Sequence, residues 1–174
     1  MTSSELALRL ARRSDAAHIA AMSRSLIEHG LRWSWTPERV AASIRDRNTH
    51  VLVACVDGQI VGFAIMRYGD EDARLDLFGV GHRYRRHGVG RRLLEWLEKC
   101  AIVAGIAHIS LEVRAGNIGA QSFYERMGYR AIGHLPGYYQ GREAAIRMRR
   151  TLRRPLEGGA PSPPRWRGDG NANA

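Results

Sequence analysis

The stretch Arg85-Arg86-His87-Gly88-Val89-Gly90-Arg91 carries the chemistry most readily read from this sequence. It stands between an apolar run ending at Val80 and an amphipathic run beginning at Gly88. Glycine lets a backbone approach a ligand closely. A helix N-terminus presents unpaired N–H groups and a partial positive charge. Together they make an anion site suited to phosphate, and Arg85, Arg86 and Arg91 add charge around it. Two other phosphate motifs do not fit. A dinucleotide fingerprint needs glycine or alanine where Leu93 stands. A Walker A loop needs Gly-Lys-Ser/Thr, and Lys99, the only lysine, has no such neighbours. Taken alone, the loop also suits a plain helix start with solvated arginines. The histidines and cysteines show no metal-ligand spacing, so no metal is expected.

A strand must deliver this loop and a helix must receive it. The spacing predicts a strand over 7–11, a helix over 14–29 stopped by Gly30, and a second helix over 36–47. Thr36-Pro37 opens that second helix as an N-cap followed by proline at the first helical position. Three apolar runs follow over 50–56, 59–68 and 73–80, the first two joined by the hairpin signal Asp57-Gly58. A helix over 88–104 is marked by Val89, Leu93, Leu94, Leu97 and Ala101, with Glu95 and Lys99 as an outer i,i+4 pair. A strand over 106–113, a helix over 117–127 and strands over 131–135 and 144–151 complete the order β-α-α-β-β-β-α-β-α-β-β. That is an α/β (α+β) fold: a mixed central sheet of about seven strands with helices on both faces.

Arg/Gln-x-x-Gly-x-Gly after a strand, then Asn-x-x-Ala-x-x-x-Tyr about thirty residues later, resembles the GCN5-related N-acetyltransferase (GNAT) family. The matching residues are Arg85, Gly88 and Gly90, then Asn117, Ala120 and Tyr124. Within the family, Leu111-Glu112-Val113-Arg114-Ala115-Gly116-Asn117 and the later Gly137-Tyr138-Tyr139 with Arg142-Glu143-Ala144-Ala145-Ile146 are similar to bacterial ribosomal-protein alanine N-acetyltransferases. The resemblance implies a GNAT fold and acetyl-CoA as cosubstrate. Its contacts would come from Phe78, Gly79, Val80, Arg85, Arg86, His87, Gly88, Val89, Gly90, Arg91 and Asn117. It further implies Glu112 as general base and Tyr124 as general acid. Both roles make chemical sense: acetyl transfer needs a neutral amine and a protonated leaving thiol. Glu112 should stand on the strand face opposite Leu111 and Val113.

The acceptor is less legible. Trp33 and Trp35 fall where this family shapes its acceptor groove, as walls or as packing against the sheet. Their segment does not resemble that of the ribosomal-protein enzymes. Tyr138 and Tyr139 sit in a Gly-flanked hairpin, to hold a peptide N-terminus or simply to pack. The first reading is transfer to a protein or peptide N-terminal amine, with a small-molecule amine as the alternative. A non-catalytic acetyl-CoA sensor is the alternative from another class, and intact Glu112 and Tyr124 argue against it.

Composition sets the outer limits. The chain has 174 residues, 44% hydrophobic and 25% charged, which suits one globular domain. No apolar stretch reaches the length of a membrane span, and the N-terminus lacks the order of a signal peptide. Two distant cysteines, Cys55 and Cys100, read as free thiols in a reducing cytoplasm. Net charge is +10, and arginine supplies 26 of the 27 basic residues. Such a surplus suits a polyphosphate ligand or an acidic surface, and a GC-rich bacterial genome would also produce it. The arginines are spread along the chain without a base-stacking motif, which argues against a nucleic-acid partner. A monomer or homodimer is expected. An acetyltransferase domain over 1–153 and a flexible Pro/Gly-rich tail over 154–174 divide the chain.

Overall fold

A computed structural model describes residues 5–152, so the expected tail over 154–174 lies outside the described residues. Seven strands, β1 (Leu6–Leu10), β2 (Thr49–Val56), β3 (Gln59–Tyr68), β4 (Asp72–Val80), β5 (His108–Arg114), β6 (Arg130–Tyr139) and β7 (Glu143–Thr151), form one sheet. Four helices, α1 (Ala16–Leu26), α2 (Pro37–Arg45), α3 (Val89–Val103) and α4 (Ile118–Arg126), cover it. The strand order is β1-β2-β3-β4-β5-β7-β6. Only β4 and β5 run parallel. A parallel pair needs a crossover, and α3 supplies it.

Both faces of the central strands are buried, so those strands read as continuous apolar runs. In β2, Leu52 and Ala54 face the cluster that holds Leu93, Leu94, Leu97 and Tyr124. Their neighbours Val51, Val53 and Cys55 face the cluster that holds Ile19, Ala20 and Val40. The helices therefore divide, α1 and α2 on one face and α3 and α4 on the other. Asp57 and Gly58 both adopt positive φ, 50° and 77°, as the tight hairpin turn demands.

Several boundaries depart from the sequence expectation, and three have a visible cause. The first helix spans only Ala16–Leu26, after a single 3-10 turn at Arg13–Asp15. Asp15 spends its carboxylate on the Arg12 N–H at 2.7 Å and on Arg9, which holds that turn. At the other end, buried Glu28 accepts hydrogen bonds from the N–H groups of Ser34 and Trp35 and from the Ser23 hydroxyl. That holds residues 27–35 out of the helix. Strand β6 reaches Tyr139, past Pro136, which an edge strand tolerates. Glu95 pairs with Arg91 at 2.7 Å rather than with Lys99. Cys55 and Cys100 are free, the first buried and the second half-buried. Among the described residues no helix is long and apolar enough to cross a membrane.

Candidate active site

The parallel pairing of β4 and β5 runs only from Asp72–His108 to Leu75–Leu111. Beyond that point the two strands have no ladder between them. The break coincides with a bulge in β4: Met66 pairs with Leu75 and Ile65 with Leu77, leaving Asp76 unpaired. A bulge bends its strand and raises the local twist. It also reverses side-chain alternation. Leu75 packs on the α3/α4 side and Leu77 on the α1/α2 side, although two residues apart in a regular strand would share a face. The gap opens into a cleft of about 1320 Å³, lined from both sheet faces by residues of β4, β5, α1–α4 and the β6–β7 hairpin. That is more than a single small ligand needs.

One end of the cleft presents open backbone N–H groups and arginines, a combination suited to an anion. Gly88 stands at φ +78° with open space around it and starts α3 without a side-chain cap. The first helical bond runs from the Arg92 N–H to the Gly88 carbonyl at 3.0 Å. The N–H groups of Val89, Gly90 and Arg91 therefore have no acceptor among the described residues. A Cβ on Gly90 would lie 3.2 Å from Phe78 Cζ, so this glycine lets α3 pack on β4. Arg85, Arg86, Gly88, Gly90, Arg91 and Asn117 line this end. Val89 is buried in the core, so only its N–H is available. The His87 ring turns to the Arg85 carbonyl at 2.7 Å. Asn117 caps α4, accepting from the Ala120 N–H at 3.1 Å.

Phe78, Gly79 and Val80 line the middle, along the edge of β4 that faces the gap. Tyr124 projects into it from α4. Its residue is 6% exposed, and its ring packs edge-on or tilted against Phe78, Phe123 and Tyr129 at 5.3–6.0 Å between centroids. Its hydroxyl makes no hydrogen bond among the described residues, and burial raises its pKa above the ordinary phenol value. Tyr129, equally buried, donates its hydroxyl to Glu98 at 3.2 Å.

Glu112 sits across the sheet from Tyr124, on the face opposite Leu111 and Val113 as expected. Its side chain is 6% exposed. Arg74 Nη2 contacts Oε2 at 2.8 Å and Arg147 Nε contacts Oε1 at 2.9 Å. Neither arginine carries a local sequence signal. Arg147 lies directly opposite Glu112 in the β5–β7 register. Arg74 also reaches Asp76 at 2.9 Å and donates to the Tyr138 hydroxyl at 2.7 Å. Tyr139 packs edge-on to Tyr138 at 5.0 Å. Both tyrosines line the cleft.

Trp35 also lines it, buried, with the Arg39 guanidinium 3.9 Å from its ring centroid. Trp33 does not line the cleft; it packs against the α1/α2 core, with Arg24 over its ring at 5.1 Å. Here Glu28 decides which indole turns to the site, because it anchors the backbone at Ser34 and Trp35. Two further contacts tie residues 27–32 to the far wall. Arg114 donates to the carbonyls of Ile27 and His29, and the Gln140 amide bonds the Arg32 N–H and carbonyl at 2.8 and 3.0 Å. Among the described residues no group of His, Cys, Asp or Glu is arranged to hold a metal ion.

Comparison with known proteins agrees with this architecture. Residues 19–129 match the Acetyltransferase (GNAT) family. An uncharacterized N-acetyltransferase of Methanocaldococcus jannaschii is 38% identical over 97 residues, covering 55% of this chain and 62% of that protein. The ribosomal protein bS18 alanine N-acetyltransferase of Escherichia coli is 34% identical over 123 residues, covering 69% of this chain and 81% of that one. The crystal structure of the Escherichia coli ribosomal-protein-S18-alanine N-acetyltransferase superposes with a TM-score of 0.76 at 26% identity, over 90% of this chain and 99% of that one. The family match spans β2 to β5, α2 to α4 and most of α1, the elements that enclose the split between β4 and β5, and the chain belongs to the acetyltransferase (GNAT) family.

Proposed function

We propose that this chain transfers an acetyl group from acetyl-CoA to a primary amine, the N-terminal amine of a protein or peptide. The three unbonded N–H groups at the start of α3 suit the donor's phosphates, with Arg85 and Arg86 adding charge. The open edge of β4 from Phe78 to Val80 suits its pantetheine arm. The acceptor enters from the α1/α2 side. Glu112 takes the amine's proton, directly or through a water, on a lone pair that its two arginine contacts leave open. The neutral nitrogen attacks the thioester carbonyl carbon. Peptide N–H groups of β4 stabilise the negative charge that grows on the carbonyl oxygen. The C–N bond forms, the C–S bond breaks, the departing sulfur takes the proton of the Tyr124 hydroxyl, and the new amide nitrogen releases its second proton to solvent in the open cleft. Solvent exchange through the open cleft resets both residues.

The Tyr124 hydroxyl is the observation that carries this reading. A buried tyrosine ordinarily bonds its hydroxyl, as Tyr129 does. The Tyr124 ring is buried, while its hydroxyl, with no internal acceptor among the described residues, opens to the cleft. A thiol-release assay with acetyl-CoA tests the proposal across peptides with varied N-termini, lysine side chains, polyamines and aminoglycosides. Release with N-terminal peptides is the expected result. A folded chain that releases no thiol with any of these amines would overturn it. Release with small amines alone would replace the peptide acceptor by a small molecule.

A further inference from the structure

The acceptor half of the cleft carries more positive charge than its carboxylates absorb. Arg39, Arg67, Arg74 and Arg147 line it, facing Asp76 and Glu112. Two further charged residues of the lining are already engaged: Glu28 caps the backbone at Ser34 and Trp35, and Arg114 pairs with Glu143. Five of the six remaining groups form a chain of contacts. Arg67 reaches Asp76 at 3.1 Å, Asp76 reaches Arg74 at 2.9 Å, Arg74 reaches Glu112 at 2.8 Å, and Glu112 reaches Arg147 at 2.9 Å. Arg39 stands outside the chain. Its guanidinium lies flat on Trp35 and makes no hydrogen bond or ion pair among the described residues. Arg147, 40% exposed, uses only Nε on Glu112; its two terminal nitrogens have no acceptor among the described residues.

Two guanidinium forks therefore present open donors to the acceptor half of the cleft, Arg147 beside Glu112 and Arg39 over Trp35. An arginine stacked on an indole is held in one plane, so less freedom is lost when it binds. Its fork matches a carboxylate two bonds at a time. A smaller hollow of about 350 Å³ adjoins the cleft and shares Trp35, Arg39, Arg67 and Asp76 with it, which gives a side chain beyond the amine somewhere to go.

We propose that the acceptor bears a carboxylate close to its amine: an N-terminal segment with an acidic residue among its first two positions, its carboxylate held by the Arg39 guanidinium. The inference rests on the acetyl transfer proposed above. An acceptor with arginine or lysine at those positions meets like charge and is disfavoured.

Peptide amides that differ only at the second residue test this by thiol release: Ser-Glu, Ser-Gln and Ser-Arg, followed by the same neutral residues. The expected kcat/KM for Ser-Glu exceeds that for Ser-Gln by about tenfold, one well-placed interaction, and Ser-Arg falls below both. The preference shrinks as salt rises from about 0.01 to 0.3 M. Arg39→Gln lowers the Ser-Glu to Ser-Gln ratio severalfold, and Arg39→Lys keeps part of it. Arg39 is exposed on α2, and its cap to Thr36 runs through its backbone N–H, so the variant keeps its fold. Turnover of these peptides with a ratio near one, or with Ser-Arg ahead, overturns the acidic acceptor while leaving acetyl transfer standing. Turnover of free glutamate with no turnover of any peptide amide overturns the peptide source, because the α-carboxylate then supplies the anion. No thiol release with any amine overturns the transfer itself and this inference with it.

Discussion

Tyr124→Phe and Tyr129→Phe remove the same atom from two buried rings and should fail in opposite ways. At Tyr124 the hydroxyl bonds to nothing among the described residues, while the ring rests on Phe78, Phe123 and Tyr129. Losing it leaves every ring contact intact, so stability should change by no more than about 0.5 kcal/mol. If the hydroxyl protonates the leaving sulfur, turnover falls by about 10²–10⁴-fold, or roughly 3–5 kcal/mol of barrier. Acetyl-CoA affinity stays near the wild-type value. At Tyr129 the hydroxyl donates to Glu98, which is 5% exposed and otherwise held by Arg150. A hydrogen bond to a charged group contributes about 1.5–3 kcal/mol. Arg150 remains, so the lower part of that range applies, and Tm should fall by roughly 3–8 °C. Turnover per folded molecule should not change. Thermal denaturation, acetyl-CoA titration and single-turnover thiol release separate these outcomes. Wild-type single-turnover rates in Tyr124→Phe would remove Tyr124 from the proton path. A matching rate loss in Tyr129→Phe would mean that packing, not the proton, sets the rate.

Glu112→Gln keeps the shape of the side chain and removes the base, so its defect should shrink as pH rises past the amine's own pKa, about 8 for an α-amino group; a constant defect from pH 7 to 9.5 would make Glu112 a positioning group instead. Saturating acetyl-CoA should raise Tm, since about 100-fold excess over Kd adds about 2.7 kcal/mol to a chain that binds it only when folded. Gly88→Ala should weaken that shift, because φ +78° strains any residue with a Cβ and displaces the open N–H groups; an undiminished shift would place the phosphates elsewhere. Burial raises the pKa of Tyr68, Tyr124, Tyr129 and Tyr139. The unfolded chain then loses these protons first, near pH 10, so their contribution is complete below that pH and declines above it. Denaturant titrations from pH 8 to 11 should show stability falling only at the alkaline end, with no phenolate absorbance from these four until the chain unfolds.

The elements were legible where a local signal fixes them. Thr36-Pro37 caps α2, Asp57-Gly58 turns β2 into β3, and Gly88 and Asn117 start α3 and α4 as read. The glycine turn that starts α3 was legible for the same reason, since a helix start and its glycines are contiguous in sequence. The acceptor end was not. Glu112 meets Arg74 from β4 and Arg147 from β7, and only the strand register brings them together. The choice between Trp33 and Trp35 depends on Glu28, whose buried carboxylate caps a loop six and seven residues away. A charged residue in an amphipathic helix pattern reads as solvated, so nothing in the sequence separated Glu28 from its exposed neighbours. Nothing flagged Asp76 as a bulge, because a single extra residue leaves an alternating strand looking regular.

That extra residue organises the site. Before Asp76, the odd-numbered side chains of β4, Ala73 and Leu75, pack toward α3 and α4. After it the even-numbered ones do, so Phe78 and Val80 reach that side while Leu77 joins the α1/α2 core. Phe78 then stacks on Phe123 at 5.6 Å and closes over Tyr124. Gly79 turns the other way, where a Cβ would lie 2.8 Å from Phe63 Cζ, so the strand can seat against β3 there only as glycine. Without the bulge, Leu77 would occupy the place of Phe78, and the aromatic wall beside Tyr124 would be lost. On β5 the alternation is unbroken, and Glu112 and Arg114 stay on the α1/α2 side. The two strands thus present different faces to the gap they share. One offers an apolar wall and a phenol on the α3/α4 side, and the other a clamped carboxylate on the α1/α2 side. Two substrates that meet in the plane of the sheet from opposite faces need that offset, and a regular β4 would put both sets of groups out of step.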